Sequence, residues 1–471
     1  MPGQLCSSRG ASSRPAPAPG RCRACSNARA IVSGATGLCG ARATLDANHD
    51  GAGNHGGGHS TTWRKRAATH MIRDSEFLLS GPFAQAALTS FFFMSGLNCF
   101  ILLPLYVHRL GGTEGEIGIV QGAYSAIGIL CQPVVGLWLD RVGRRAFMIL
   151  GVVLLVVASA CFIVTQSLPL LALLRVLQGI GFSTFFVANY VHVVGLVPVE
   201  RRGWALGIYG LSGFLGTALA PIAGEIVVNN LGFRWLFLLA VLLSSVAALL
   251  VARTRGIQPP DMGAGPGLEM FRDGLKDVLR LHMALAFFFG LGTGAMFTFM
   301  PTFGESLGVR SVALYYTAYA VAAMLVRVAG GNLIDVRGRR ATIIPSMFIQ
   351  ASSVAILAIL ASLVRPHMAV PIVPFLILAG LLAGGGHGFL YPALSALLMD
   401  VTPERRRGGA VGIFSGVMLV GQTLGSMIFG YVAHAFGYAV MWGVVTFLLS
   451  AGFLLSQRLR ERRAASAPVA G

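Results

Sequence analysis

Charged residues are scarce in this chain. Only 11% of its 471 residues are charged, whereas 55% are hydrophobic and the mean hydropathy is +0.72. Soluble domains carry roughly 25% charged residues. Because the apolar residues fall in blocks of about 20, the length of a helix that crosses a bilayer, the composition predicts an integral membrane protein. The polar and apolar alternation of a membrane β-barrel is also missing, so the spans are predicted to be helices.

The motifs of common enzyme classes are missing too. The chain has no HExxH motif, no GxxxxGK[ST] phosphate loop, no Ser/His/Asp cluster and no acidic metal pair. Its CxxC pair, Cys22 and Cys25, has no second pair or histidine nearby to complete a zinc site. A membrane enzyme, a sensor and a pump with its own ATPase are therefore disfavoured. We expect no catalytic residue, cofactor or resident metal.

The N-terminal segment, residues 1–75, lacks what a folded domain needs. It is rich in Gly, Ala, Ser and Arg and has no acid before Asp46. Such a segment cannot bury a core, so it is predicted to be a disordered tail. Two alternatives stay open, a transit peptide and a start of translation at Met71.

Basic residues outnumber acidic ones by 36 to 18, but they do not indicate nucleic-acid binding. Almost all of them lie in loops and tails, without a folded soluble face to present them. By the positive-inside rule, 16 on one side against four on the other place both termini in the cytoplasm of a cell-membrane protein. The 16 are Arg141, Arg144, Arg145, Arg201, Arg202, Arg253, Arg255, Arg272, Lys276, Arg280, Arg337, Arg339, Arg340, Arg405, Arg406 and Arg407; the four are Arg109, Arg234, Arg310 and Arg365.

Twelve apolar spans are predicted, six in each half of the chain. The N-terminal half, residues 76–253, has spans at 83–106, 115–139, 146–166, 169–197, 204–228 and 233–253. The C-terminal half, residues 283–457, has spans at 283–304, 311–334, 341–364, 370–399, 409–434 and 437–457. Residues 254–282 are predicted to be a cytoplasmic linker, and residues 458–471 a basic cytoplasmic tail.

Two charged segments occur once in each half. Residues 136–145 read GLWLDRVGRR, and residues 331–340 read GNLIDVRGRR. Residues 198–203, PVERRG, likewise correspond to residues 403–408, PERRRG, and both precede the fifth span of their half. Two motifs in the same order indicate two parallel six-helix repeats, a plan known among transporters.

These residues are similar to the major facilitator superfamily of secondary transporters, over roughly residues 80–458. Residues 136–145 resemble the signature loop between that family's second and third helices. Residues 175–181, RVLQGIG, resemble its fourth-helix motif, and residues 213–224 resemble its fifth-helix antiporter motif. The resemblance implies an all-α fold of twelve transmembrane helices in two pseudo-symmetric bundles. It also implies a monomer that moves a small molecule by alternating access, similar to drug and metabolite exporters.

The repeated turn is the candidate for a cytoplasmic latch. Asp140 lies where the dipole of the second helix is negative, so its carboxylate needs another partner. The resemblance implies that this partner is the N-terminus of the eleventh helix, which Gly136 would allow to approach. Charges that only set topology are the alternative. The predicted latch, which would hold the outward-facing state, comprises Gly136, Asp140, Arg141, Gly143, Arg144, Arg145, Asp335, Gly338, Arg339 and Arg340.

Small residues form one stripe on the fifth span. Gly213, Gly216, Ala220 and Gly224 recur at spacings of three and four, which permits close helix contact in lipid, and Pro221 should bend the helix. The resemblance implies that this stripe seals against the eighth helix in antiporters. Ordinary membrane packing is the alternative.

Two cations lie well inside the spans, where charge is costly. Arg175 lies about two turns from the outer face of the fourth span. It could bind an anionic substrate group or a proton-carrying acid, or form a structural hub with Gln178. Arg327 lies about two turns from Asp335 in the eighth span and could reach the cytoplasmic interface or pair with Asp335.

Acids in the spans are few, which leaves the proton carrier open. Glu225 lies near the outer end of the fifth span, and the first span has no acid, although many proton-coupled exporters of the family carry one there. His192 and His387 are alternatives, because histidine titrates near physiological pH, unless they are packed structural residues. Residues 384–388, GGGHG, indicate close backbone approach beside His387.

The resemblance places the cavity among the first, fourth, seventh and tenth helices. We expect its lining to include Asn98, Gln178, Asn189, Thr293, Phe297, His387 and Tyr391. The best-supported function is proton-coupled export of a small amphipathic molecule or metabolite. The alternative is a proton symporter that imports a sugar, an organic acid or a similar nutrient.

Overall fold

The computed structural model describes residues 81–197, 202–254, 281–330, 333–363, 371–402 and 407–459. The predicted N-terminal tail with its CxxC pair, nearly all of the linker and almost all of the C-terminal tail lie outside these residues. The boundaries predicted for those segments therefore stay predictions.

Helices make up nearly all of the described chain. The N-terminal half contains α1 (Gly81–Arg109, with a 3-10 turn at Cys99–Leu102), α2 (Glu114–Val142), α3 (Arg144–Phe162), α4 (Leu168–Leu196), α5 (Arg202–Leu231) and α6 (Phe233–Arg253). The C-terminal half contains α7 (Leu281–Ser306), α8 (Ala313–Gly330), a short turn of helix (Leu333–Val336), α9 (Arg339–Leu363) and α10 (Ile372–Val401). The last helix, Arg407–Ser456, is broken at Gly437 into α11 (407–436) and α12 (438–456).

Eleven helices of the described chain are long and apolar enough to cross a membrane, and the last of these crosses twice. Its apolar part, Gly412–Ser456, is 45 residues long. At 1.5 Å per residue that is roughly 68 Å, about twice the thickness of a bilayer core. The break at Gly437 therefore separates two spans, and the predicted fold of twelve helices is confirmed. The predicted ends deviate most, by four residues, at the ends of α3 and α8.

The internal repeat is visible in the backbone. Six described glycines adopt positive φ, a conformation that side chains disfavour. They fall at equivalent turns of the two halves: after the first helix, between the second and third, and between the fifth and sixth. The pairs are Gly111 (φ 84°) and Gly308 (74°), Gly143 (95°) and Gly338 (85°), and Gly232 (93°) and Gly437 (79°).

Two antiparallel helix pairs, α2 with α11 and α5 with α8, join the halves. In the first pair, Thr423 donates to the Ser125 hydroxyl at 3.0 Å. In the second, Thr317 donates to the carbonyl of Ala218 at 3.0 Å. Small residues allow such close contact where lipid provides no hydrophobic driving force.

Contact between the halves concentrates at one end, which we call the outer side because the predicted orientation puts it outside the cell. There Gly118 of α2 lies against the backbone of Ser426 and Gly430, and α1 meets α7 through residues 99–109. A helix face recurs every three to four residues along the chain. Toward the cytoplasmic side, glycines on these same faces have no close described neighbours in the other half. A Cβ at Gly136, Gly207 or Gly416 would meet no described atom within 4 Å. Among the described residues, the two halves therefore meet at the outer side and have free space between them at these three glycines.

Candidate functional site

Glu225 connects the two halves near the outer end of α5. Its side chain is only 9% exposed and accepts hydrogen bonds from the Ser311 hydroxyl (2.6 Å) and from the backbone N–H of Val312 and Ala313 (both 2.7 Å). Because α8 begins at Ala313, the carboxylate lies at the positive end of that helix and satisfies its free N–H groups. We call Glu225 with residues 311–313 the outer latch.

Two histidine–glutamate pairs also bridge the halves on the outer side. His108 of α1 lies 3.3 Å from Glu305 of α7, and His434 of α11 lies 3.3 Å from Glu114 of α2. A cavity of about 200 Å³ opens among them, lined by His108, Glu114, Thr302, Glu305, Ser306 and Tyr438. The sequence analysis missed these pairs, because residues hundreds of positions apart carry no sign that they meet.

Arg175 of α4 forms a hydrogen-bonded hub inside the N-terminal half. Its guanidinium donates to Gln178 at 2.9 Å and to Gln121 of α2 at 2.5 Å, and it lies 4.5 Å from the centre of the Tyr124 ring. Gln121 in turn donates to the carbonyl of Phe100 in the 3-10 turn of α1. The expected contact with Gln178 is present, and the partners on α2 are additional.

His387 of α10 lies in a cage of aromatic rings. The Tyr319 hydroxyl forms a 2.5 Å hydrogen bond with its Nδ1. Phe214 and Phe289 meet the imidazole edge-to-face, with ring centres 5.7 and 4.9 Å away. The expected backbone approach is confirmed, because Gly384 packs against the backbone of Tyr319. Since Phe214 belongs to the N-terminal half, the cage spans both halves.

Arg327 of α8 faces the same cage. Its guanidinium carbon lies 4.6 Å from the centre of the Phe214 ring, and the guanidinium also lies beside Gly210 of α5. Tyr319 of α8 and Tyr391 of α10 lie close to Arg327. The expected partner, Asp335, has a side chain outside the described residues, so that pairing stays a prediction.

The other expected cavity residues are dispersed. Asn98 donates to Thr217 at 3.1 Å and Asn189 to the Tyr209 hydroxyl at 2.8 Å, both within the N-terminal half. Thr293 donates to a carbonyl of its own helix. Phe297 meets the Tyr319 ring of the cage at 5.3 Å, and Tyr391 lies about one helical turn from His387 on α10. His192 lies instead at the cytoplasmic end of α4, near Arg144.

The described residues contain no group of three His, Cys, Asp or Glu side chains that could hold a metal ion.

The comparisons with known proteins point to transport. A model of the Major Facilitator Superfamily matches residues 85–374 and 311–470, which is most of the chain. The chain belongs to the Major Facilitator Superfamily. It is therefore a multi-pass membrane transporter of small molecules that works by alternating access, and not an enzyme.

Relatives and solved structures within the superfamily cover most of the chain. The staphylopine export protein of Staphylococcus aureus (strain Mu50) is 23% identical over 378 residues, 78% of this chain and 93% of that protein. The MFS-type transporter YhhS of Escherichia coli (strain K12) is 26% identical over 379 residues, 77% and 88% of the two chains. The human organic anion transporter MFSD10 (TM-score 0.60, 16% identity, 80% and 99% covered) and the nucleoside transporter NupG (0.65, 14%, 81% and 100%) share the fold.

The superfamily's fifth-helix stripe packs differently from the expectation. Gly213 and Gly216 lie against Met94 and Ser95 of α1, and Gly224 lies against leucines of α1 and α6. The stripe, with Ala220, therefore faces its own half, and the expected seal against α8 is wrong. A neighbouring face of α5 makes that contact through Gly210, Phe214, Ala218 and Glu225, whose spacings of four and seven are also helical. Pro221 lies inside α5.

The superfamily's signature turns are held to their own halves. Arg145 donates to the carbonyl of Ala252 in α6 at 2.8 Å. Arg339 pairs with Asp400 of α10 at 3.1 Å, and Arg340 is exposed. The buried Arg144 lies beside Gly195 of α4. The side chains of Asp140, Arg141 and Asp335 lie outside the described residues, so the cytoplasmic latch stays a prediction.

Proposed function

We propose that this transporter exports a small amphipathic molecule or metabolite from the cytoplasm in exchange for protons. One observation carries the proposal: Glu225, the only buried acid among the described side chains, joins the two halves on the outer side. A group that binds or releases a proton at this contact can link protonation to the opening of the transporter.

The chemistry of the outer latch gives the link a direction. An ionised carboxylate accepts charge-assisted hydrogen bonds and is favoured at a helix N-terminus. Protonation removes that charge, which weakens the hydrogen bonds that Oε1 accepts from the backbone N–H of Val312 and Ala313 and the attraction to the helix start. Protonation of Glu225 therefore favours opening of the outer side, and loss of the proton favours the closed state.

The cytoplasmic latch is proposed to act in the opposite state. Gly136 and Gly416 have free space on the faces that meet farther out, which is consistent with a latch that is disengaged here. When the cytoplasmic side closes, Asp140 would reach the N-terminus of α11, and Asp335 would have the equivalent role in the repeat. The two latches would then alternate, each stabilising one state.

Export is favoured over import by two further observations. The chain lacks the Pro-Glu-Thr-Arg-Gly signature of sugar porters. One relative, the staphylopine export protein, is an exporter, and the match covers 93% of its length. We further propose a monomer in the cell membrane with both termini in the cytoplasm. Arg175, with amides as its hydrogen-bond partners, is the proposed second group for coupling or substrate contact.

Transport in inverted membrane vesicles tests the proposal. We expect wild-type vesicles to accumulate a member of a labelled compound panel only when their interior is acidified. Glu225→Gln should uncouple accumulation from the pH gradient, while Ser311→Ala, which removes one of three hydrogen bonds, should reduce it less. Accumulation independent of pH in wild type would contradict proton exchange, and proton-driven uptake into right-side-out vesicles would indicate the importer instead.

A further inference from the structure

Arg327 is an intramembrane cation that no described acid balances. It lies 14 residues after Ala313, the start of α8, or about 21 Å along the helix. Its guanidinium rests on the Phe214 ring, and its Nε is buried without a hydrogen-bond partner. The side chain is only partly buried, but a charge inside the membrane is costly unless another group pairs with it, so this arginine is suited to a charged ligand.

The groups beside Arg327 offer hydrogen-bond donors and rings. The Tyr319 hydroxyl and Nδ1 of His387 share a hydrogen bond, and in the tautomer in which the hydroxyl donates, the neutral imidazole carries its proton on Nε2 and can donate it to a ligand. Tyr391 also lies close to Arg327 and offers a hydroxyl group. Phe214 and Phe289 supply apolar faces around the imidazole.

The charge balance of the interior points the same way. Arg175, the other cation well inside the spans, has two amides and a ring as partners, and its Nε is also unpaired. Glu225, the only buried acid described, is engaged at the start of α8. The described interior therefore carries positive charge that the protein itself does not neutralise.

We propose that the transported molecule is an organic anion that binds at Arg327. Its carboxylate or phosphate oxygens accept hydrogen bonds from the guanidinium and from His387, and its apolar part lies on the Phe214 and Phe289 rings. Guanidinium geometry suits such planar, bidentate recognition. The inference rests on the proposed export function and names its substrate class. Because Phe214 comes from α5 and the other groups from the C-terminal half, the bound anion contacts both moving halves.

Binding of simple probes to the purified full-length transporter tests the site. Benzoate, phenyl phosphate, benzamide and benzylamine share one ring and differ in charge. We expect the two anions to raise the thermal unfolding midpoint in a saturable manner, and the neutral and cationic probes to have no such effect. Arg327→Gln should weaken anion binding at least tenfold. Arg234→Gln, which removes an exposed charge at the start of α6, is the matched control and should bind as wild type.

The outcomes separate this inference from the export function. Equal stabilisation by all four probes, no stabilisation by either anion, or anion binding that survives Arg327→Gln overturns the anion site. If Arg327→Gln does not fold, His387→Phe removes the imidazole donor but keeps a ring, and should still weaken binding severalfold; unchanged binding would overturn the site. Equilibrium binding needs no gradient. If the anions bind but no pH-driven flux is found, the export proposal is contradicted and the anion site is not. If pH-driven flux is found only for neutral compounds, the anion site is contradicted and proton-coupled export is not.

Discussion

The two ends of α2 meet the C-terminal half of the transporter in different ways. Near its outer end, Gly118 packs against the backbone of α11, and Ser125 accepts a hydrogen bond from Thr423. Gly136, about three turns after Ser125, lies on the same face of α2, and a Cβ there would have no described neighbour within 4 Å. Glycine thus occurs where the helices touch and also where they are apart. The unoccupied glycine is explained if the same face closes in the alternate state, since an alternating transporter must pack both ends in turn.

The polar contacts differ in the same way. On the outer side, Glu225 and two histidine–glutamate pairs cross between the halves. On the cytoplasmic side, Arg145 and Arg339 bind partners within their own halves. A difference of a few bonds is enough to set which side is open, because two states of a transporter differ by only a few kcal/mol.

Steric changes on α2 should give the largest effect. A Cβ at Gly118 would lie 2.5 Å from the Ser426 carbonyl oxygen and 3.3 Å from the Gly430 Cα. Gly118→Val should therefore cost the outer-closed state about 1–3 kcal/mol, as overpacking does. Amide hydrogen exchange should then become faster in the outer parts of α2 and α11.

Gly136→Val should shift exchange in the opposite direction. It finds free space in this structure but would obstruct closure of the cytoplasmic side, so the cytoplasmic parts should stay exchange-labile and flux should fall. Gly443→Val, on an exposed face of α12 with free space, is the control for helix propensity. Shifts in the same direction for Gly118→Val and Gly136→Val would contradict the two-ended comparison.

The cytoplasmic latch should give an intermediate effect. Asp140→Asn removes a charge predicted to bind the positive end of α11, a contact of about 1 kcal/mol, so the outward-facing population should fall about fivefold. Flux should fall with it, and amide hydrogen exchange in the outer parts of α2 and α11 should become slower. Asp400→Asn, which loses a pair within its own half, is the matched control. Unchanged flux through a well-expressed Asp140→Asn variant would refute the latch.

Much of the architecture could be predicted from the sequence. Blocks of apolar residues locate the spans, because a bilayer requires a nearly fixed helix length. The duplicated turns identify the two halves, and Gly143 and Gly338 adopt the positive φ that makes such turns specific to glycine. Gln178 beside Arg175 could be paired because the two lie three residues apart on one helix.

Contacts between helices could not be predicted in the same way. Periodicity shows that α5 has a small-residue face, but it does not say which helix that face meets, and the face meets α1 instead of α8. The same limit applies to Glu225, whose place near the end of α5 was evident but whose partners at residues 311–313 were not. Nothing in the local sequence shows that Phe214 enters the cage around His387.

The exposed histidine–glutamate pairs should give the smallest effect. Their side chains are 26–54% exposed, and such ion pairs contribute roughly 0–1 kcal/mol. In a double-mutant cycle with His108→Gln and Glu305→Gln, the coupling measured from thermal unfolding should lie in that range and shrink at high salt. The Glu225→Gln effect should exceed it, since Glu225 is buried and accepts three hydrogen bonds at a helix start. A coupling as large as the Glu225→Gln effect would mean that the exposed rim, rather than the buried latch, holds the outer side closed.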